Sequence, residues 1–108
     1  MGIRAILIAA AMLASGVHAI AGAGDAVVII KDFEFTPQHI TVRRGQTVVW
    51  ENRELRQYHS VWFEALGEEA PDYIFADETY QRSFPDTGTF PYRCGPHPQM
   101  TGSVTVIE

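Results

Sequence analysis

Cysteine occurs once in this 108-residue chain, at Cys94. One cysteine excludes an internal disulfide, and an oxidising compartment is a poor place for a spare thiol. Such a residue calls for an intermolecular bridge, a reactive thiol or a metal. Basic residues form no cluster beyond Arg43-Arg44, which argues against nucleic acid as a partner. After the N-terminal region no segment of helical length carries the 3.6-residue period, which argues against a helical fold. Internal repeats, low-complexity tracts and an interdomain linker are all missing.

What the chain does have begins with a leader-like segment. Met1-Gly2-Ile3-Arg4 gives a short positive start, and Ala5 to Leu13 is an uninterrupted apolar run of nine residues. That is too short for the roughly 20 residues that span a bilayer as a helix. Val17-His18-Ala19 fits the small-x-small rule, so residues 1–19 are expected to form a signal peptide, with a second possible cut after Ala23. Export to a bacterial periplasm follows, with no membrane anchor once the leader is gone. The remaining residues make one small domain, 24–108, in which 7 basic residues face 13 acidic ones, a formal charge of −6. A core this thin is often supplemented by a metal or a disulfide.

Short β-rich runs separated by turn chemistry fill that domain. Val27 to Phe35 is the first, with Val27, Ile29, Phe33 and Phe35 on one face, and Thr36-Pro37 closes it. Ile40 to Val42, Thr47 to Asn52, Tyr58 to Phe63, Tyr73 to Phe75, Tyr80 to Phe84, Thr89 to Cys94 and Ser103 to Ile107 bring the total to about eight strands. Gly45 supplies a positive φ in the turn Arg43 to Gln46. The expected fold is all-β, an antiparallel Greek-key sandwich or barrel. Pro91, inside a strand, belongs at an edge or irregularity because it cannot donate to a ladder.

Alternation along these strands points to a site. Phe90, Tyr92 and Cys94 share the inward face of one run, and His59, Val61 and Phe63 share that of another. The segment Tyr92-Arg93-Cys94-Gly95-Pro96-His97-Pro98-Gln99-Met100 sets thiolate, imidazole and thioether donors three residues apart. With His59 they form two nitrogens, one strong sulfur and one weak sulfur, the set a copper ion cycling between Cu(I) and Cu(II) needs. Pro96 and Pro98 fix φ on both sides of His97 and remove two amide donors that could otherwise reach the Cys94 sulfur. His39 reads as a surface residue, His18 leaves with the leader, and Trp50 and Trp62 read as core and edge aromatics.

The loop from Cys94 to Met100 resembles the ligand loop of the cupredoxins, the type 1 blue copper proteins. Its two-residue spacing between His97 and Met100 is most similar to the amicyanin branch. Asn52-Arg53-Glu54 ahead of His59, and Phe84, Gly88, Phe90 and Tyr92 ahead of the cysteine, are similar to the same family. The resemblance spans nearly all of the mature chain. It implies a copper-bearing β-sandwich, with His59, Cys94 and His97 as equatorial ligands and Met100 as the axial one. Three positions depart from the branch: the stretch from Glu54 to His59 is one residue longer, Ser60 stands where many relatives have asparagine, and Gln99 replaces a large apolar residue.

A saturated four-ligand site leaves no open position for substrate, so the chain is expected not to be an enzyme. Three mature histidines are too few for a multicopper oxidase cluster. The reading is a monomeric periplasmic electron-transfer protein carrying one electron on one copper. Its partners would be redox proteins such as a c-type cytochrome or a periplasmic dehydrogenase. The alternative is a periplasmic copper carrier or copper-homeostasis protein. A structural zinc site is a third option, against which the thioether speaks. Glu64, Glu68, Glu69 and Asp72 form an acidic stretch, read either as a solvated loop or as a patch that steers a basic partner.

Overall fold

The computed structural model describes residues 16–108, so the leader expected over residues 1–19 falls mostly outside the described part. Eight strands and one 3-10 turn make up the regular structure of the described residues. They are β1 (His18–Ile20), β2 (Ala26–Lys31), β3 (Glu34–Thr36), β4 (His39–Arg43), β5 (Thr47–Asn52), β6 (Thr79–Ser83), β7 (Gly88–Arg93) and β8 (Thr101–Ile107), with the 3-10 turn at Glu64–Leu66. Two four-stranded sheets face each other, in the orders β1-β4-β8-β7 and β3-β2-β5-β6. No helix among the described residues is long and apolar enough to cross a membrane.

The expected sandwich is therefore present, but it is not purely antiparallel. β2–β5, β4–β8 and β1–β4 pair in parallel, while β2–β3, β5–β6 and β7–β8 pair antiparallel. The cause lies in the connections: from β3 to β4 and from β4 to β5 the chain crosses to the opposite sheet. Only hairpin neighbours can be antiparallel by a tight turn, and a crossover returns the strand in the same direction.

The first expected strand, 27–35, is two strands joined by a tight turn. Asp32 and Phe33 take φ of 54° and 57°, the left-handed pair that a two-residue hairpin needs. That turn sets Ile30 opposite Phe35, so Ala26, Val28, Ile30 and Phe35 face the core while Val27 and Phe33 are exposed. Phe35 is thus separated from Val27 and Phe33, with which simple alternation groups it. The expected strand 58–63 is also absent as a ladder. His59 bridges Ile74, whereas Trp62 bridges Arg93 of β7. The segment thus meets Ile74, outside both sheets, at one end and β7 at the other, and runs along no single ladder. Ile74 likewise makes an isolated bridge instead of a strand over 73–75.

Other expectations hold. Gly45 has φ of 87°, and Pro91 lies on β7, an edge strand. Trp50 is fully buried, and its Nε1 donates to the Tyr92 hydroxyl at 3.1 Å, tying β5 of one sheet to β7 of the other. Burial holds the Tyr92 phenol protonated far into the alkaline range. The ring of Tyr92 lies across Gly102, its register partner, where a Cβ would come within 2.5 Å of it. Phe63, Trp50 and Tyr92 pack with centroid distances of 5.3–6.3 Å, in the same buried core as Cys94 and Met100.

Candidate metal centre

Cys94 follows β7 directly, and the loop 94–100 leads into β8. Two backbone bonds close that loop on itself: the Cys94 N–H donates to the Met100 carbonyl and the Met100 N–H to the His97 carbonyl, both at 2.9 Å. His59 arrives from the segment after β5. Its N–H donates to the Ile74 carbonyl at 3.1 Å, and its carbonyl accepts from the Ile74 N–H at 2.7 Å. Asn52, fully buried at the end of β5, anchors the lead-in. Its side-chain amide donates to the Gln57 and Ile74 carbonyls at 3.0 and 2.8 Å, and its Oδ1 accepts from the Glu54 N–H at 2.9 Å.

These supports bring three of the four sequence-nominated donors together. Cys94 Sγ lies 3.5 Å from His59 Nδ1 and 3.5 Å from His97 Nδ1, and the three donor atoms all fall within 4.8 Å of one another. Donor atoms sharing one ion at bond lengths of about 2.0–2.3 Å would stand roughly 3–4 Å apart, and both sulfur–nitrogen distances fall in that range. Met100, 4% exposed, shares the buried core with Cys94 and is hydrogen-bonded into the loop through its backbone on both sides. Cys94 and His59 are fully buried. His97 is half-buried, so among the donors it alone reaches the surface. Phe33 packs edge-on against both imidazoles, with centroids 5.5 and 4.9 Å away.

Burial sets the protonation of the centre. Desolvation pushes the Cys94 thiol up from its ordinary value, against the Ser60 amide and other donors that favour the thiolate. Desolvation, helped by His97, pushes His59 down, with the Glu54 carboxylate opposing. A neutral imidazole suits metal ligation, and a cation would displace the thiol proton. His59 Nε2 is buried without a hydrogen-bond partner. The nearest carboxylate oxygen, Glu54 Oε1, stands 3.9 Å off and instead accepts from the Phe33 N–H at 3.0 Å.

Ser60, a departure from the resembled pattern, links the two donor-bearing segments. Its N–H points at Cys94 Sγ at 3.4 Å, and its hydroxyl accepts from the Gly95 N–H at 2.8 Å. Gly95 is needed at this approach, because a Cβ there would come within 2.9 Å of Ser60 Oγ. The position marked in the sequence as a departure from asparagine thus still links the two segments, through a serine hydroxyl. His39 is half-buried rather than a surface residue: its Nδ1 lies 2.7 Å from Ser103 Oγ, and its ring stacks on His18 at 4.7 Å. The acidic stretch divides. Glu64 pairs with Arg93 at 2.8 Å and Glu68 with Arg82 at 2.5 Å, so both carboxylates are committed within the molecule.

A two-sheet sandwich with a buried Cys-His pair and a half-exposed second imidazole at one end defines a class. The family model of the cupredoxin-like domain matches residues 4–106, and the chain belongs to that family. Within it, the chain is similar to amicyanin from Paracoccus versutus, 36% identical over 87 residues, covering 76% of this chain and 65% of the relative. It is also similar to amicyanin-alpha from Methylorubrum extorquens, 32% identical over 103 residues, covering 90% and 86%. An amicyanin mutant structure in its Cu(I) form matches with a TM-score of 0.70 at 36% identity, covering 80% of this chain and 85% of that one. The chain spans about two thirds of the length of the Paracoccus relatives.

Proposed function

We propose that this chain is an electron carrier with one type 1 copper, which His59, Cys94 and His97 would hold, with the Met100 thioether as a weaker fourth donor. One observation carries the reading: a buried cysteine sulfur with two imidazole Nδ1 atoms each 3.5 Å away. Copper, when bound, supplies a one-electron Cu(II)/Cu(I) couple. The residues supply its surroundings. Cys94, His59 and Met100 exclude water, since all three are buried. Backbone bonds at Ile74, Met100 and His97 hold the donors before any ion arrives, so they move little when the charge changes. The partly exposed edge of His97 is the route for outer-sphere exchange. No donor position is left open for a substrate, which supports a carrier and not an enzyme.

The finer reading places the protein in the periplasm, delivered by a leader cut after Ala19 or Ala23. β1 spans His18–Ile20 and is exposed along its length, so cutting there removes little core. The mature domain acts as a monomer whose partners are redox proteins such as a c-type cytochrome or a periplasmic dehydrogenase, through a small transient contact. The copper-carrier alternative asks for exchangeable donors, and these are mostly buried. Repeated reduction and reoxidation in the presence of a Cu(I) chelator tests the choice. A carrier of electrons keeps its copper through many cycles; steady loss of copper to the chelator overturns the proposal.

A further inference from the structure

Arg93 is the last residue of β7, immediately before Cys94, on the strand face opposite the thiol. Its side chain is 23% exposed, and its guanidinium is held through one face, Nε and Nη1. The group lies 4.4 Å from the centre of the Trp62 ring. Nε donates to Glu64 Oε1 at 2.8 Å, and Nη1 donates to the Cys94 and Gly95 carbonyls, each at 3.1 Å. The platform beneath it is fixed. Trp62 and Arg93 exchange two backbone hydrogen bonds of 2.9 and 3.0 Å, and Trp62 Nε1 donates to the Glu68 carbonyl at 2.8 Å.

Two effects follow from this geometry. The first two carbonyls of the donor loop are held from outside by one planar cation, while Ser60 holds the Gly95 N–H from the other side. A flexible lysine cannot reproduce that fork together with the stacking on indole. The arrangement also fixes a positive charge one residue from the sulfur donor, with the more exposed Glu64 as its counter-charge. We infer that Arg93 is the positioning and charge-setting residue of the metal loop, seated on Trp62 and offset by Glu64, acting through Cys94 and Gly95 without touching the metal. This rests on the proposed role of Cys94 as a ligand. A nearby cation disfavours the extra positive charge of the oxidised ion, and the carboxylate opposes that effect.

The test uses the full chain with Arg93→Gln, Arg93→Lys and Glu64→Gln. Midpoint potentials are read on copper-loaded protein, and amide hydrogen exchange at Gly95 on metal-free protein. Arg93→Gln should lower the midpoint and Glu64→Gln should raise it, because the two remove opposite charges. Arg93→Lys should keep the midpoint near wild type while Gly95 exchange speeds up, as it should in Arg93→Gln. A merely structural clamp moves the potential the same way in Arg93→Gln and Glu64→Gln; that outcome, or no shift in either, overturns the charge-setting role. Unchanged Gly95 exchange in both arginine variants overturns the positioning role. Wild-type protein that takes up no copper overturns the parent reading and the charge-setting role with it, while the exchange data still decide the positioning role.

Discussion

Replacing Ser60 with alanine tests whether one hydroxyl joins the two donor-bearing segments. Ser60 is 1% exposed, and its Oγ accepts the Gly95 N–H at 2.8 Å. Ser60→Ala leaves that amide without its acceptor in a site that water reaches poorly, at a cost of about 1–3 kcal/mol. The void is a single atom, so the cavity contribution is small. The Ser60 amide still faces Cys94 Sγ, because that donor is backbone. A loss near 2 kcal/mol lowers the melting temperature of a domain this size by roughly 10 °C. With a urea slope of about 1–3 kcal/mol/M it moves the midpoint by about 1 M. Metal-free protein is the right material, since a bound ion would itself bridge the two segments. Copper affinity should change far less than stability, because the bond is made in the folded chain before the ion enters. A urea midpoint within about 0.2 M of wild type would refute the reasoning, since that is under 0.5 kcal/mol for most such slopes.

The metal-free protein should lose stability on both sides of neutrality. His59 has its folded value pushed below the ordinary 6.5, so its contribution is complete above 6.5 and fades as pH falls below it. Cys94 has its folded value pushed above 9.0, so its contribution is complete below 9 and fades as pH rises beyond it. Each limb has a slope of at most about 1.4 kcal/mol per pH unit, and urea unfolding at a series of pH values reads both; a profile flat from pH 4.5 to 7 contradicts the first. Glu54→Gln removes a carboxylate 3.9 Å from His59 Nε2 and should raise the copper midpoint by roughly tens of millivolts, the scale for losing one negative charge beside a donor imidazole in a medium of ε near 20; a lower midpoint in spectroelectrochemistry rejects the argument. Glu68→Gln breaks the pair with Arg82, whose guanidinium lies over the Phe63 ring at 4.5 Å. Its partial exposure limits the cost to about 1 kcal/mol in chemical denaturation, and an unchanged midpoint would mean that the pair contributes nothing.

The strands that run straight were legible because period two and turn residues agree there. Thr47–Asn52 was placed without error, and the inward face of Phe90, Tyr92 and Cys94 followed from alternation alone. Errors came where the backbone changes direction. Asp32 and Phe33 carry no glycine or asparagine signal, yet both take positive φ, so the hairpin between β2 and β3 is hidden in the sequence and Phe35 is grouped with the wrong face. Residues 58–63 resemble a strand because β-favouring residues fill them and His59, Val61 and Phe63 fall at period two. Pairing with Ile74 at one end and Arg93 at the other is a tertiary fact that no local pattern contains. The same split marks the site. Spacing on one loop and a lone cysteine exposed the donors, while Ser60, Asn52 and Arg93 act through contacts across 22 to 35 residues or through backbone carbonyls. Composition alone leaves the acidic stretch open between a solvated loop and a steering patch. Two of its four carboxylates are internally paired, which leaves Glu69 and Asp72 as the weaker remainder for any steering of a partner.

Titrating the purified, metal-free chain with cupric salt while recording its visible and EPR spectra bears most directly on the centre. Binding should saturate at one ion per chain, with an intense thiolate-to-copper band that disappears on reduction, returns on oxidation and is missing from Cys94→Ser. A protein that stays pale through the titration, or whose colour survives loss of the Cys94 sulfur, contradicts the assignment of His59, Cys94, His97 and Met100 as the ligands of a redox copper.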